Sequence, residues 1–350
     1  MRSFNDMLRR TALALVLWAL GAPPGAAQDA PLTRIAFASC AHQAKPQPIW
    51  EAVLDYRPEL FVFAGDNVYG DVGSGAMSEL QAAYAKATTI EGYRRVREAA
   101  SVLATWDDHD FGQNDGGADF PYKDAAKRLF LDFWRIPPDD PRRTRAGIYH
   151  AETFGPEGRR VQIVLLDTRT FRSPLKAADP PGTQGEGPYV PDPDPAKSML
   201  GAAQWAWLRV QLMQPAELRL IVSSVQVLAE GHGFERWGNL PAERARLFEL
   251  IAESGAAGVV FLSGDRHVGA LYRRPGSPYD PYEITSSGIN MTWAANQDDG
   301  PLRLGAVYGA ENFGTIDVDW WAGEVRLAVR AMNGEAVRAV AIPLAALAPR

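Results

Sequence analysis

The sequence has one cysteine, no excess of positive charge and neither of two common catalytic motifs. Cys40 is the only cysteine among 350 residues, so no disulfide can form within the chain. The formal net charge is −6 and no basic patch is visible, which argues against a nucleic-acid-binding surface. The Gly-x-Ser-x-Gly motif of serine hydrolases and the phosphate-binding Gly-x-x-x-x-Gly-Lys-Ser/Thr motif of kinases are both absent. A hydrophobic fraction of 46% with 22% charged residues is ordinary for a globular protein and excludes a disordered chain or a coiled coil.

The beginning of the chain has the pattern of a secretory signal peptide. Three arginines precede the apolar run 12–20, and small residues follow at 25–27. The run is too short to cross a bilayer as a helix, so we expect export and no membrane span in the mature chain. The sequence therefore predicts a periplasmic or secreted protein, with a signal peptide over 1–27 and one domain over 28–350.

A lone thiol in an exported protein calls for an explanation, because oxidising compartments favour paired cysteines. Cys40 is either a buried cysteine that packs as a small hydrophobic side chain or a metal-bound thiolate that coordination shields from oxidation. Composition does not decide between the two.

Six short apolar runs, rich in β-branched and aromatic residues, predict buried strands. They are 34–39, 59–65, 101–106, 161–166, 220–224 and 259–263, and they lead into Cys40, Asp66, Asp107, Asp167, Gln226 and Asp265. Helical spacing of apolar residues is found over 48–56, 79–100, 123–134, 202–213 and 242–254. This alternation predicts an α/β fold with largely parallel pairing, in which ligand sites lie beyond the carboxyl ends of the strands.

The C-terminal part has a different pattern. Alternation over 315–320 and 324–331 predicts a β-hairpin, and 337–343 predicts one more strand. The segment 177–198 is dense in Pro, Gly and Asp and predicts a long surface loop. We expect this loop and the segment 231–239 to form walls of the functional pocket.

The residues at the predicted strand ends are of the types that bind metals or transfer protons in other proteins. They are Cys40, Asp66, Tyr69, Asp107, Asp108, His109, Asp110, Asp265 and His267. Each motif alone has an ordinary explanation, such as a helix N-cap or a solvated turn. Those explanations do not predict that all of them follow buried strands. The remaining histidines, His42, His150 and His232, are expected to be structural.

The order of these motifs resembles that of the metallophosphoesterases. The chain has Cys40, then Gly65-Asp66-Asn67-Val68-Tyr69, then Asp108-His109-Asp110, then Gly264-Asp265-Arg266-His267. The tyrosine of the second motif is similar to that of purple acid phosphatases. The cysteine, the Trp-Asp-Asp-His-Asp motif and the Ser-Gly-Asp-x-His motif resemble PhoD-type alkaline phosphatases. The likeness runs from about Arg34 to the C-terminal hairpin.

The resemblance implies a fold and a metal centre. The fold would be a four-layer αββα sandwich with two mixed sheets, helices outside and metals at the sheet ends. One metal would be held by Cys40, Asp66, Tyr69 and His267. Asp66 would bridge to a second metal, held also by Asp108, Asp265 and Asn114.

The chemistry of these ligands predicts two different metals. A thiolate, a phenolate and a carboxylate place three negative charges on the first ion, which favours iron(III). Oxygen ligands at the second position suit a hard divalent cation such as calcium, magnesium or manganese. Two metals about 3.5–4 Å apart can clamp a phosphate and generate hydroxide at neutral pH.

Four further side chains are candidates for catalysis or substrate binding. His109 would protonate the leaving oxygen as the family pattern suggests. Arg169 and Arg266 could each grip phosphate oxygens, the alternative being a salt bridge away from the substrate. Gln226 stands where many relatives have a metal-binding histidine and could contact metal or substrate.

The sequence thus predicts a secreted metal-dependent phosphoric ester hydrolase, an alkaline phosphatase or phosphodiesterase whose preference for monoesters or diesters stays open. Two other functions are considered. A secreted glycoside hydrolase would account for the ten tryptophans and the paired carboxylates. A non-catalytic periplasmic protein that captures phosphate would have no need of His109.

Overall fold

The computed structural model describes residues 30–349, except 181, 183–186, 277 and 297–299. The signal peptide expected at 1–27 lies outside the described residues. Strands are β1 (Arg34–Ala38), β2 (Leu60–Ala64), β3 (Ser101–Thr105), β4 (His150–Phe154), β5 (Val161–Leu165), β6 (Lys176–Ala177), β7 (Tyr189–Val190), β8 (Leu218–Val222), β9 (Val259–Ser263), β10 (Gly269–Arg273), β11 (Tyr282–Ser286), β12 (Asn312–Asp319), β13 (Glu324–Ala331) and β14 (Ala336–Pro343). Helices are α1 (Trp50–Tyr56), α2 (Ser78–Ala87), α3 (Glu91–Ala99), α4 (Asp108–Phe111), α5 (Lys123–Phe133), α6 (Gly201–Leu212) and α7 (Pro241–Ser254).

Two six-stranded mixed sheets form the centre of the molecule. The first has the order β14-β13-β12-β1-β2-β3, and the second has the order β10-β11-β9-β8-β5-β4. β1, β2 and β3 are parallel to one another, as are β5, β8, β9 and β11. The outer strands of both sheets pair antiparallel, apart from β3. The carboxyl ends of the parallel strands therefore form one edge in each sheet.

Alternation along the strands separates two apolar layers. On β1, Ile35 and Phe37 pack between the sheets, whereas Ala36 and Ala38 pack against the helices that cover the first sheet. Side chains of α1, α3 and α5 belong to that second layer, among them Trp50 and Phe130. Apolar residues of α6 and α7 pack with the strands of the second sheet. The arrangement is the expected αββα sandwich, because each sheet buries one face on the other sheet and one on helices.

The sequence predicts one helix over 79–100, but the structure has two helices there. α2 ends at Ala87 and α3 begins at Glu91. The hydroxyl groups of Thr88 and Thr89 donate to the carbonyl oxygens of Ala85 and Lys86, each at 2.7 Å. Two successive threonines that bond the last helical carbonyls in this way favour a helix end over continuation.

The C-terminal hairpin is confirmed and is larger than predicted. β12 and β13 pair along eight residues each, and β14 continues the first sheet beside them. Sequence patterns missed β4, β10 and β11, since β4 is half-exposed and β10 and β11 flank a Pro- and Gly-rich connection. No helix within the described residues is long and apolar enough to cross a membrane.

Candidate metal centre

Loops after four parallel strands bring the candidate ligands together. Cys40 follows β1, Asp66 follows β2, Asp108 follows β3, and Asp265 and His267 follow β9. Glycine permits the close approach of these loops at Gly65, where φ is +105° and an added Cβ would lie 2.6 Å from the Asp107 Cβ. Two sheet edges thus contribute to a single site.

The backbone at the site is strained. Cys40, Asp66, Asp115, Asp265 and His267 all adopt positive φ, between 49° and 66°. Residues with a Cβ rarely occupy this region, and such strain persists where the surrounding structure imposes it, most often at functional sites. Five of the eight described non-glycine residues with positive φ lie at this one place.

The first cluster consists of Cys40, Asp66, Tyr69 and His267. The Cys40 Sγ and the Tyr69 hydroxyl lie 3.5 and 3.3 Å from the Asp66 Oδ2. The Tyr69 hydroxyl is also 3.2 Å from the His267 Nε2. One ligand atom from each of Cys40, Asp66 and His267 lies within 4.8 Å of the others, a spacing that a single ion can bridge.

The second cluster lies beside the first and shares Asp66. Ligand atoms of Asp66, Asp108 and His109 lie within 4.8 Å of one another, and so do those of Asp107, Asp108 and Asp265. Asn114 lines the same pocket from an exposed position. Sequence reasoning missed a neighbouring acidic group in which Asp108 meets Asp115 and Glu235.

Electrostatics at the site favour a cation. Burial, followed by the charge of Asp108, raises the pKa of Asp66 well above its usual value, and burial beside Asp107 and Asp108 does the same for Asp265. Burial, reinforced by Asp66, raises the pKa of the Cys40 thiol. Buried groups of like charge repel one another, and a bound cation relieves that repulsion.

Two further observations fit metal binding. The Oδ1 of Asp108 is buried and accepts no hydrogen bond from any described residue, and its nearest cation is the Arg169 Nη2 at 3.8 Å, so a lone pair remains for an ion. Burial and the neighbouring Arg266 lower the pKa of His267 to about 4, so its imidazole is neutral at physiological pH, as a metal ligand must be. These residues fit the binding of metal ions at this place.

His109 lines the pocket next to these clusters. Its Nδ1 lies 2.8 Å from the Oδ2 of Asp71, and its backbone N–H donates to Asp66 Oδ1 at 3.3 Å. Burial lowers the pKa of His109, but Asp66, Asp71 and Asp108 together outweigh burial and raise it to about 11. Asp71 is a functional candidate that sequence reasoning did not identify, because it lies outside the recognised motifs.

Asp110 and Asp107 have structural partners. The Asp110 carboxylate accepts hydrogen bonds from the Asp107 backbone N–H at 2.6 Å and the Asn67 side chain at 2.5 Å. Asp107 caps α4 and pairs with Arg169, whose Nε donates to it at 2.6 Å. These contacts fix the loop that carries Asp108 and His109.

The three predicted substrate-binding residues occupy different places. Arg169 is fully buried, paired with Asp107 and with Glu235 at 2.6 Å, an arrangement that corresponds to the salt-bridge alternative. Gln226 is buried, and its amide bonds Tyr272, Thr285 and His232. Arg266 alone of the three lines the pocket.

The pocket has a volume of about 260 Å³, and candidate ligands from Asp66 to His267 contribute to its lining. The lining also includes Pro188, Tyr189, Phe234 and Trp293. The Arg266 guanidinium lies 4.1 Å from the Phe234 ring centroid and 5.5 Å from that of Trp293. Both segments expected to form pocket walls, 177–198 and 231–239, therefore do so. A larger cavity, about 460 Å³, lies between α6 and α7 and contains no candidate ligand.

The sequence model of the PhoD-like phosphatase family matches residues 35–299, which include every candidate ligand from Cys40 to His267. The chain belongs to the PhoD-like phosphatase family. Membership implies a metal-dependent phosphoesterase that acts on phosphoester substrates. A search of curated proteins found no match.

Solved structures show the same fold at low sequence identity. This PhoD-like phosphatase is similar to a structure of PhoD, with a TM-score of 0.70, 17% identity and coverage of 90% of this chain and 69% of that one. It is also similar to GAP50, described as the anchor in the inner membrane complex of Plasmodium, with a TM-score of 0.58, 12% identity and coverage of 91% and 90%. A purple acid phosphatase from yellow lupin has a TM-score of 0.58, 9% identity and coverage of 90% and 54%.

Proposed function

We propose that this PhoD-like phosphatase is an exported alkaline phosphatase or phosphodiesterase that works with two metal ions. The observation that carries the proposal is the meeting of a thiol, a phenol, an imidazole and three carboxylates at one place. The imidazole and the carboxylates line the pocket that also contains Arg266. A similar fold in GAP50 serves as an anchor, so the ligand set, and not the fold, supports catalysis.

The two metal sites differ in their donors. Cys40, Asp66, Tyr69 and His267 would hold iron(III), because anionic sulfur and oxygen donors suit a trivalent ion. Asp66, Asp108, Asp265 and Asn114 would hold calcium, magnesium or manganese through oxygen atoms. When bound, such a metal pair neutralises phosphate charge and activates water for in-line attack.

Side chains of the protein itself bind the phosphate group, donate a proton and exclude water. The Arg266 guanidinium, which packs over the Phe234 ring and near that of Trp293, presents a planar set of donors to phosphate oxygens. His109, oriented by Asp71, gives a proton to the leaving oxygen. The wall of Pro188, Tyr189, Phe234 and Trp293 shields the reacting group from bulk water.

The test combines metal analysis with an activity panel. The purified protein is expected to hydrolyse nitrophenyl phosphate or bis(nitrophenyl) phosphate, to lose that activity in chelator and to regain it with added metals. Hydrolysis of nitrophenyl glycosides without phosphate ester turnover would identify a glycoside hydrolase. Tight phosphate binding without turnover would identify a capture protein.

Export is tested separately. If the chain is secreted, the mature protein from the periplasm or medium begins near residue 28, as N-terminal sequencing would show. Recovery of the full-length chain from the cytoplasm would contradict the proposed location and leave the proposed chemistry untouched.

A further inference from the structure

The side chain of Gln43 forms a two-point clamp on the backbone of Tyr69. Its Nε2 donates to the Tyr69 carbonyl oxygen at 2.7 Å, and its Oε1 accepts from the Tyr69 backbone N–H at 2.9 Å. One amide thus satisfies both backbone groups of a residue that lies in a loop, outside any helix or strand. Such a pair fixes position and rotation of the backbone, which a single hydrogen bond does not.

The ring of Tyr69 is held by stacking. His42 lies almost parallel to it, with ring centroids 4.8 Å apart and planes inclined by 14°. The ring of His109 also contacts Tyr69, with centroids 4.2 Å apart. His42 and Gln43 are adjacent, so one short segment holds both the backbone and the ring of the same tyrosine. His42, expected to be structural, therefore lies at the site.

A second two-point clamp, from Asn290, holds the backbone of His42, the residue before Gln43. The Asn290 Oδ1 accepts from the His42 backbone N–H at 2.7 Å, and its Nδ2 donates to the His42 carbonyl oxygen at 2.9 Å. Asn290 follows β11, Gln43 follows β1 and Tyr69 follows β2. Two amide clamps in series therefore connect three loops, drawn from both sheets, at the edge where the candidate ligands lie.

We propose that Gln43 and His42 are positioning residues that hold the Tyr69 phenol where it can bind the first metal. The proposal rests on the proposed function for the ligand role of Tyr69, but the positioning itself is a property of the chain. A tyrosine side chain has two torsions, and a loop does not fix them. Contacts that orient a metal ligand typically contribute about 10–100-fold to metal affinity.

The experiment observes Tyr69 directly, without depending on turnover. We would place 3-fluorotyrosine at position 69 alone and record its ¹⁹F spectrum after metals are removed with a chelator. The parent protein should give one narrow resonance. Gln43→Ala and His42→Ala should broaden, split or shift it, and His42→Phe, which keeps a flat ring, should restore the narrow line. Gln81→Ala, at an exposed glutamine of α2, is the matched control and should leave the spectrum unchanged.

Iron(III) binding provides the second measurement. Gln43→Ala should weaken it about 10–100-fold, with little change in the unfolding temperature. Gln43→Glu keeps an acceptor for the Tyr69 N–H and loses the donor to the Tyr69 carbonyl oxygen, so its iron(III) affinity should lie between those of the parent and Gln43→Ala. This variant provides the test if Gln43→Ala folds poorly. An unchanged Tyr69 resonance in Gln43→Ala and His42→Ala would overturn the inference. A perturbed Tyr69 resonance with unchanged iron(III) affinity would support the positioning role of Gln43 and His42. It would contradict the part of the proposed function in which Tyr69 is a metal ligand.

Discussion

The Nδ1 of His109, a residue that lines the pocket beside the candidate metal ligands, lies 2.8 Å from the Oδ2 of Asp71. A carboxylate on one ring nitrogen fixes the orientation of an imidazole and leaves the other nitrogen for chemistry. This contact joins a recognised motif to a residue outside it, and it suggests the first two of five tests.

Removing His109 should affect chemistry more than folding. His109→Ala is expected to keep its metals and to lose about 10²–10⁴-fold in kcat, because a general acid contributes that much. The loss should shrink for substrates with good leaving groups such as nitrophenolate, which need little protonation. Equal losses for good and poor leaving groups would indicate a positioning role instead.

Asp71→Asn tests the contact itself. It should lower kcat by about 10-fold, part of the contribution of the general acid, since an amide holds the imidazole less firmly than a carboxylate. Metal content should not change. Asp119→Asn, at an exposed aspartate, is the control and should behave as the parent protein. A parental kcat in Asp71→Asn would show that the contact does not serve catalysis.

Asp66→Asn should remove metal and activity together, because Asp66 belongs to both clusters. The metal-free variant should be at least as stable as the metal-free parent, since the substitution removes a buried charge next to Asp108. Metal analysis and denaturant unfolding of both forms measure these effects. Normal turnover in Asp66→Asn would exclude the two-metal proposal.

We expect Arg169 to stabilise the folded protein and Arg266 to bind the substrate. Arg169→Met leaves Asp107 buried without its cation and leaves Glu235 paired with Arg172 alone, so it should cost about 3–5 kcal/mol in the free energy of unfolding. Arg266→Gln should mainly raise KM for phosphate esters, because Arg266 lines the pocket. Denaturant unfolding and steady-state kinetics on both variants separate the roles. A variant of Arg169 with parental stability and a raised KM would reassign it to the substrate.

Cys40 and Tyr69 on one iron(III) should colour the protein through charge transfer from sulfur and oxygen to metal. Tyr69→Phe should shift or bleach the band with little loss of fold, and Cys40→Ser should weaken iron binding because a hydroxyl is a poorer anionic ligand. Tyr84→Phe, at a tyrosine buried in the helix-side core, should leave the spectrum intact. A colourless, fully active zinc protein would defeat the iron assignment and leave the phosphoesterase proposal standing.

The sequence by itself determined the fold class, the family and the strand ends where chemistry-bearing residues stand. It could do so because these signals are local. A buried strand that ends at Cys40 or Asp66 is visible as an apolar run followed by a polar residue, and the motif order does not depend on packing.

Only the tertiary structure decided what lies beside those residues. Arg169 and Arg266 look equivalent along the chain, yet one is buried against Asp107 and Glu235 and the other lines the pocket. Asp71 and Gln43 belong to no motif and become neighbours of His109 and Tyr69 through loops that different strands present at one edge. Contacts of this kind depend on how distant segments pack, and no periodicity in the sequence encodes that.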